Sequence, residues 1–565
     1  MRAGSLPSDI LLNIFWAVAR NEAPRFLFIK LIDTHPGFRK DLGLPGVTLE
    51  ERLGWIRLGH VNRDWRATLL NAQALWADCV GMLPVAADEM LARAGPTAPL
   101  TLHLPLEAAP SPTIYRLARL LQDHVHDIRA RLRGVVMWDP IPVTGDFRYQ
   151  RHGHPQLLHS RPTIRDLRDA VRRHRTYDPS LFPFAFLTST LFAQELPALT
   201  LIDLDGGMLS QLLGTLHAPN LQRLRLRNCY LSCRAPNLVA LHLTWRKPEP
   251  FQPFGPTITA SELLASIEGS SATLQSLEID SVFTQSVSFI RLPLAEAIGV
   301  NPPPSSAIAL PSLRDITFQG INRTTAAILS YLHYPHSAVT YLKICDLPRS
   351  GPSDTRSTIH AVLAKYPNCH TSGLRYDDRE GLNVDIHPFT KNTDHSEHAC
   401  IWNRSRSAIV KITAEVAIGD PLQRAIIAIT EAISMDVIDI RAANIELVRP
   451  MSLGSASSLV GCLKGTQHFC IEAHAYTLLP IADALRRHFS EDNPYKEICL
   501  VAGAEVMSIG DLAALPEAFA EMRLDDTTLH VDKEFENMPT GARLHDFMKK
   551  AEDVFKSVVL CDCTN

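Results

Sequence analysis

The sequence lacks several features that would assign it quickly. Its 565 residues carry 56 Lys and Arg against 60 Asp and Glu, a formal net charge of only −4. That balance disfavours nucleic acid as the partner of the chain as a whole. No apolar run approaches the roughly 18 residues of a membrane span, so no membrane partner is expected. There is no C-x-x-C, and the eleven cysteines are scattered. An odd, unpatterned set reads as reduced thiols in a cytoplasmic or nuclear protein. A Walker A loop, a G-x-G-x-x-G after a strand, G-x-S-x-G and H-E-x-x-H are all missing. No catalytic residue, no cofactor and no metal are therefore expected, and the chain does not read as an enzyme.

Glycine, at 28, is outnumbered by proline, at 39. That excess points to many breaks between short elements rather than long helices. With 46% hydrophobic and 21% charged residues, the chain is neither disordered nor collagen-like as a whole. Its length allows several domains, or one small domain followed by a repeat array.

Residues 5–16 read S-L-P-S-D-I-L-L-N-I-F-W. The stretch Ile10–Ala19 has the length of a signal-peptide core, with Ala17-Val18-Ala19 as a small-residue site. Asp9 and Asn13 interrupt it, and only Arg2 supplies a basic flank, so that reading is set aside. A helix opened by Pro7 fits better. It places Ile10, Leu11, Ile14, Phe15 and Val18 on one stripe, with Asp9 complementing the helix dipole in the first turn. Further on, Leu58, Val61 and Trp65 again share a helical face, and Leu75-Trp76 follows after a polar break.

Together these segments resemble an F-box: L-P-x-D-x-L-x-x-I-F over Leu6–Phe15, L-x-x-V-x-R-x-W-R over Leu58–Arg66, then Leu75-Trp76. The likeness covers residues 1–80 and is nearest to the F-box proteins of mushroom-forming fungi, in which an insertion separates the halves. Here the insertion is about residues 20–52, and Asn62 stands where many relatives have cysteine. The resemblance implies a small helical module that docks on a Skp-type adaptor and, through it, a cullin complex. The adaptor face expected from it comprises Leu6, Pro7, Ile10, Leu11, Ile14, Phe15, Leu58, Val61, Leu75 and Trp76. Trp65 is a candidate for the module's own core.

The remainder, residues 81–565, reads as a degenerate repeat array. Pro197-Ala-Leu199-x-x-Ile202-x-Leu204 is followed by Pro219-Asn-Leu221-x-x-Leu224-x-Leu226 and Pro236-Asn-Leu238-x-x-Leu241-x-Leu243. Leu274, Leu277 and Ile279 continue the pattern, as do Leu313, Ile316 and Phe318, and then Val339, Leu342 and Ile344. This is the L-x-x-L-x-L core of a leucine-rich repeat, whose last two apolar positions point inward from a short strand. Arg225 and Glu278 lie between those positions and face outward. Helices are expected over 259–268, 324–332 and 357–366. The C-terminal third keeps the rhythm. Strands near 437–440, 469–473, 498–501, 528–531 and 558–561 alternate with helices over 421–433, 476–489, 509–522 and 542–555, which suggests a parallel sheet. Leu100–Leu104 and Arg133–Met137 are candidate first strands, with a helix about 111–125 between them. Residues 139–195, rich in Pro and Gly, read as an irregular insertion.

The fold class expected is therefore α/β: a small N-terminal helical module followed by an irregular leucine-rich-repeat-like solenoid. By the resemblance, the function is that of a substrate receptor of an SCF-type ubiquitin ligase, the repeats holding a protein substrate of unspecified identity. A repeat scaffold without ubiquitin transfer is the alternative. A third reading rests on residues 116–175, which hold thirteen arginines, no lysine and six acidic residues, a net +7 against −11 elsewhere. Such a patch suits a phosphorylated or acidic partner, or nucleic acid; the blander expectation is pairing with the chain's own carboxylates. His395–Cys400, His152/His154, His333/His336 and Cys561/Cys563 place metal-ligand types close together without zinc-like spacing. Cys561 and Cys563 are expected in a frayed tail.

Overall fold

Apolar residues three and four apart carry the described N-terminal residues into helices: α1 (Ser8–Asn21), a 3₁₀ turn at Gly54–His60, α2 (Arg63–Leu70), α3 (Gln73–Ala77) and α4 (Ala87–Ala94). The computed structural model describes residues 6–22, 24, 53–105, 112–138, 186–205, 215–227, 229–245, 258–281, 290–291, 307–319, 323–344, 352–363, 365–366, 371–377, 382–388, 410–414, 426–427, 429–431, 433, 439–446, 451–463, 465–473, 478–489, 495–502, 515–520, 522, 524–537 and 544–561. The chain divides into two compact units, Met1–Leu274 and Gln275–Asn565, both mixed α/β with mostly parallel strands.

In the first unit, β1 (Leu100–Pro105) pairs in parallel with β2 (Leu132–Trp138). The intervening chain forms α5 (Pro112–Asp123) and α6 (Val125–Arg131). Next come β3 (Leu201–Asp205), β4 (Arg223–Arg227) and β5 (Ala240–Trp245), each parallel to the strand before it. Their paired apolar positions, Ile202/Leu204, Leu224/Leu226 and Leu241/Leu243, are at most 3% exposed. Fully burying such a side chain contributes roughly 1.5–3 kcal/mol.

The first leucine of each segment closes the preceding turn. Leu221 N–H donates to Ala218 O, and Leu238 N–H to Ala235 O. The prolines have a use here beyond stopping helices. The Asn220 amide donates to Pro197 O at 2.8 Å and the Asn237 amide to Pro219 O at 2.9 Å, so each turn is tied to the turn before it. Thr273 Oγ1 does the same for Pro236 O at 2.8 Å. The helix α7 (Ala260–Glu268) buries Leu263 and Ile267, one turn apart.

The second unit begins with β6 (Ser276–Ser281), β7 (Asp315–Gln319) and β8 (Val339–Ile344), again parallel. Helices α8 (Arg323–Tyr331) and α9 (Pro352–Leu363) lie near the expected positions. The rhythm then breaks. β9 (Thr371–Asp377), β10 (Leu382–Pro388) and β11 (Val410–Ala414) run as an antiparallel meander, and β11 rather than β9 lies beside β8. No strand was expected between 371 and 414, and this meander interrupts the parallel order.

Parallel order resumes with β12 (Asp439–Glu446), which pairs with β9. It continues through α10 (Leu453–Cys462), β13 (His468–Ala473), α11 (Leu478–His488), β14 (Glu497–Ala502), β15 (Leu524–Asp532), α12 (Leu544–Glu552) and β16 (Phe555–Cys561). Two other expectations change. From Phe186 the supposed irregular insertion is a π-helical turn with Phe186, Leu187 and Leu191 buried; residues 139–185 lie outside the described residues. Cys561 closes β16, buried and disulfide-bonded, rather than sitting in a frayed tail as a reduced thiol. Cys79 and Cys233 are buried free thiols.

No loose linker separates residues 1–80 from the first strands. Val80 bridges Leu102, and His103 N–H donates to Val80 O at 2.7 Å. Thr101 Oγ1 donates to the Asp78 carboxylate at 2.6 Å. Gly81, at φ +91°, passes so close to β1 that a Cβ there would overlap the His103 carbonyl oxygen. The buried His103 ring bonds Asp78 O through Nε2 at 2.9 Å, which places the proton on that nitrogen. Burial pushes the His103 pKa below its ordinary 6.5, opposed by the Asp78 carbonyl and carboxylate. The unfolded chain therefore takes up a proton that folded His103 resists. Stability from the neutral ring is present above pH 6.5 and lost as the pH falls through the lower folded value. Thermal melts across that range should show a falling Tm, with a shallower slope in His103→Asn; equal slopes would remove His103 as the cause.

Candidate functional site

Helix α1 follows from its sequence. Pro7 precedes it in an extended conformation, with Leu11 N–H donating to Pro7 O at 3.1 Å. Asp9 lies in the first turn and Arg20 in the last, both favourable to the dipole. The apolar stripe expected along α1 divides in two. Leu11 and Phe15 are buried, 2% and 0% exposed, while Ile10 is 42% exposed, Ile14 half-buried and Pro7 exposed.

The inner half packs on aromatic rings. Phe15 meets Trp65 of α2 edge to face at 5.6 Å, and Trp55 of the 3₁₀ turn meets Trp76 of α3 at 5.0 Å. Trp76 Nε1 donates to Leu69 O at 2.8 Å, and the Arg93 guanidinium of α4 sits 4.6 Å over the Trp76 ring. The two sequence halves are joined across the insertion: Trp55 N–H donates to Glu22 O at 2.8 Å, and Arg57 pairs with the Glu22 carboxylate. Asn62 also has a physical reason. Its Oδ1 accepts from Trp65 N–H at 2.9 Å and caps α2.

The ten residues expected on the adaptor face are thus sorted. Leu11, Phe15, Leu75 and Trp76 are buried in the module's own core, a correction to their placement on a docking face. Pro7, Ile10 and Val61 are exposed, Val61 by 53%, and Leu6, Ile14 and Leu58 are half-buried. Trp65 is half-buried against Phe15, as fits a place at the core's edge. These few helices bury one row of apolar residues and leave a second row facing out.

Of the arginine-rich segment, residues 116–138 are described. Arg116 pairs with Asp88 at 2.6 Å, Arg131 with Asp127 at 2.8 Å, and Arg119 approaches Asp123 at 3.9 Å. Arg129 donates to the Gln194 side chain at 2.9 Å and to Thr190 O. Arg131 also donates to Gly95 O and to Ala98 O. An open groove of about 650 Å³ runs along these pairs between α4 and α5, its arginines already matched by aspartates. Pairing with the chain's own carboxylates accounts for most of this described stretch.

The metal-type constellations do not assemble. Among the described residues, no three His, Cys, Asp or Glu side chains form a group able to hold a metal ion. His336 Nδ1 bonds Lys365 O at 2.6 Å. Between the two histidines, Tyr334 is buried, its phenol pKa pushed up to about 12 by desolvation, and its hydroxyl contacts Thr340 Oγ1 at 3.3 Å. His152, His154, His395, His398, Cys400 and Cys563 lie outside the described residues. No helix among the described residues is long and apolar enough to cross a membrane.

Sequence reasoning placed Arg225 outward but missed the rest of the polar face on β3–β5. Arg227 pairs with Asp203 at 3.0 Å and lies 3.7 Å from Asp205. Burial raises the Asp203 pKa, while Arg227, then Arg225, pull it down. The alternation Arg223-Leu-Arg-Leu-Arg227 was the available signal. The chain matches no protein-family model and no curated protein.

The two rows of α1 make opposite demands. Phe15→Ala should cost about 3–5 kcal/mol, from lost transfer energy and a cavity beside Trp65. Ile10→Ala should stay within about 0.5 kcal/mol. Urea unfolding followed by tryptophan fluorescence checks both; equal costs would show that the rows are not distinct.

Proposed function

We propose that the chain is a non-catalytic substrate receptor of an SCF-type ubiquitin ligase. Residues 1–80 act as an F-box that docks on a Skp-type adaptor, and the strands beyond act as a leucine-rich-repeat-like solenoid that holds a protein substrate. The observation that carries this reading is the split of α1. Leu11 and Phe15 satisfy the module's own core, so Pro7, Ile10 and Ile14 stay exposed or half-exposed for no internal reason. With Leu6, Leu58 and Val61 they supply the apolar anchors that helix-in-groove recognition uses. The motifs L-P-x-D-x-L-x-x-I-F and L-x-x-V-x-R-x-W-R support the same partner. The repeat reading draws on the paired inward leucines and the tied Pro-Asn-Leu turns.

A receptor of this kind raises rate by proximity. It increases the effective concentration of substrate lysines near the ubiquitin-charged enzyme. No cofactor enters this function.

Co-expression with a fungal Skp-type adaptor, followed by size-exclusion chromatography, tests the proposal. The two proteins should co-elute. Ile10→Asp with Val61→Asp should abolish co-elution while leaving the melting transition of the chain within a few degrees. Failure of the wild-type chain to co-elute, or unchanged binding by the double variant, overturns the reading.

A further inference from the structure

We propose that the outward face of β3–β5 binds an extended acidic peptide of a protein partner, with Arg223 and Arg225 as the principal contacts. Strand β4 alternates charge and core. Leu224 and Leu226 are buried, and Arg223 and Arg225 are exposed on the other side. Arg227, the third arginine of that side, is turned onto Asp203 and Asp205 and has its charge matched. With three arginines against two aspartates the face is net positive; Arg225 also acts on Asp203 beside it, and Arg223, between Leu201 and Ala240, has no aspartate in its row. Register sets Asp203, Arg225 and His242 in one row across the strands, and Leu201, Arg223 and Ala240 in the next.

Alternate residues of a strand stand about 6.6–6.8 Å apart on one face. An extended peptide has the same repeat. A Glu-x-Glu segment lying along β4 meets Arg223 with one carboxylate and Arg225 with the next, and each guanidinium offers the planar fork that a carboxylate accepts. The apolar neighbours Leu201 and Ala240, flanking Arg223, suit the aliphatic part of such a segment.

Nucleic acid fits the same face less well. Asp203 and Asp205 lie on the adjoining strand and oppose a phosphate backbone. The outward positions of the three strands hold no Phe, Tyr or Trp on which a base stacks.

The inference supplies a substrate class for the proposed receptor and rests on that reading for its biological meaning. The binding itself requires no adaptor, so the two stand or fall separately. Fluorescence anisotropy on the full chain uses a labelled peptide with glutamate at alternate positions. Its controls are a peptide of equal composition with contiguous glutamates, and a single-stranded oligonucleotide. The alternating peptide should bind more tightly than either control. Arg223→Ala with Arg225→Ala should weaken it by at least about tenfold, since two charge-assisted contacts are lost, with circular dichroism unchanged. Arg223→Glu with Arg225→Glu should transfer the preference to a peptide with lysine at the alternate positions. Equal binding by the wild type and the alanine variant, or tighter binding of the oligonucleotide, overturns the proposal. Loss of adaptor binding with peptide binding intact removes the receptor reading alone.

Discussion

A parallel strand is half-finished until a neighbour arrives on each side, because its amides and carbonyls point both ways along the ladder. It is also unfinished until its apolar face is covered. The chain meets both needs with one short pattern. Two apolar residues, two apart, go inward, and a third, three residues earlier, closes the turn that brings the chain back. Leu199, Leu221, Leu238, Leu274 and Leu313 occupy that turn position, and each is at most 2% exposed. Two residues ahead of Leu199, Leu221, Leu238 and Leu313 stands a proline, whose carbonyl needs a donor from elsewhere. Asn220, Asn237 and Thr273 take up those carbonyls from the next turn along. The polar groups of the turns are thereby satisfied by the same succession that buries the leucines.

This explains which parts of the fold were legible in the sequence. Strands β3–β8 sit where the leucine spacing places them, because an inward pair at i and i+2 is a local property. The meander β9–β11 was not legible by that rule. Leu382, Val384 and Ile386 alternate with polar residues as any strand does, and alternation says nothing about direction or neighbour. Only the long return from β10 to β11, which falls beside β8, fixes the order.

The residues expected on the adaptor face show a different limit. Helical periodicity separates apolar from polar faces, but Ile10 and Leu11 are adjacent, only about 100° apart around the axis. A wide apolar stripe contains both an inner and an outer row, and sequence spacing alone does not divide them. Tertiary packing does so here. Trp65 from α2 fills the space beside Phe15, and Trp55 and Trp76 close the core behind. Asn62, which departs from the commoner cysteine of the resembling proteins, was unreadable for the opposite reason. Its value lies in one hydrogen bond to a backbone amide that composition does not reveal.

The near-neutral net charge hid two arrangements of arginine with different meanings. Arg116, Arg119, Arg129 and Arg131 lie in the most basic stretch, yet they are matched by nearby carboxylates, an amide and carbonyls. Arg223 and Arg225 lie in β4, one of the leucine-repeat strands, and stay exposed. Where charge is left over therefore matters more than how much charge a segment holds. The two outward faces of the first unit also differ in kind. Contact through Ile10, Ile14 and Val61 gains from apolar burial and changes little with salt. Contact through Arg223 and Arg225 is screened within about 10 Å at 0.1 M salt and exchanges readily. The proposed receptor would use that asymmetry: a lasting hold on an adaptor and a releasable hold on what it delivers.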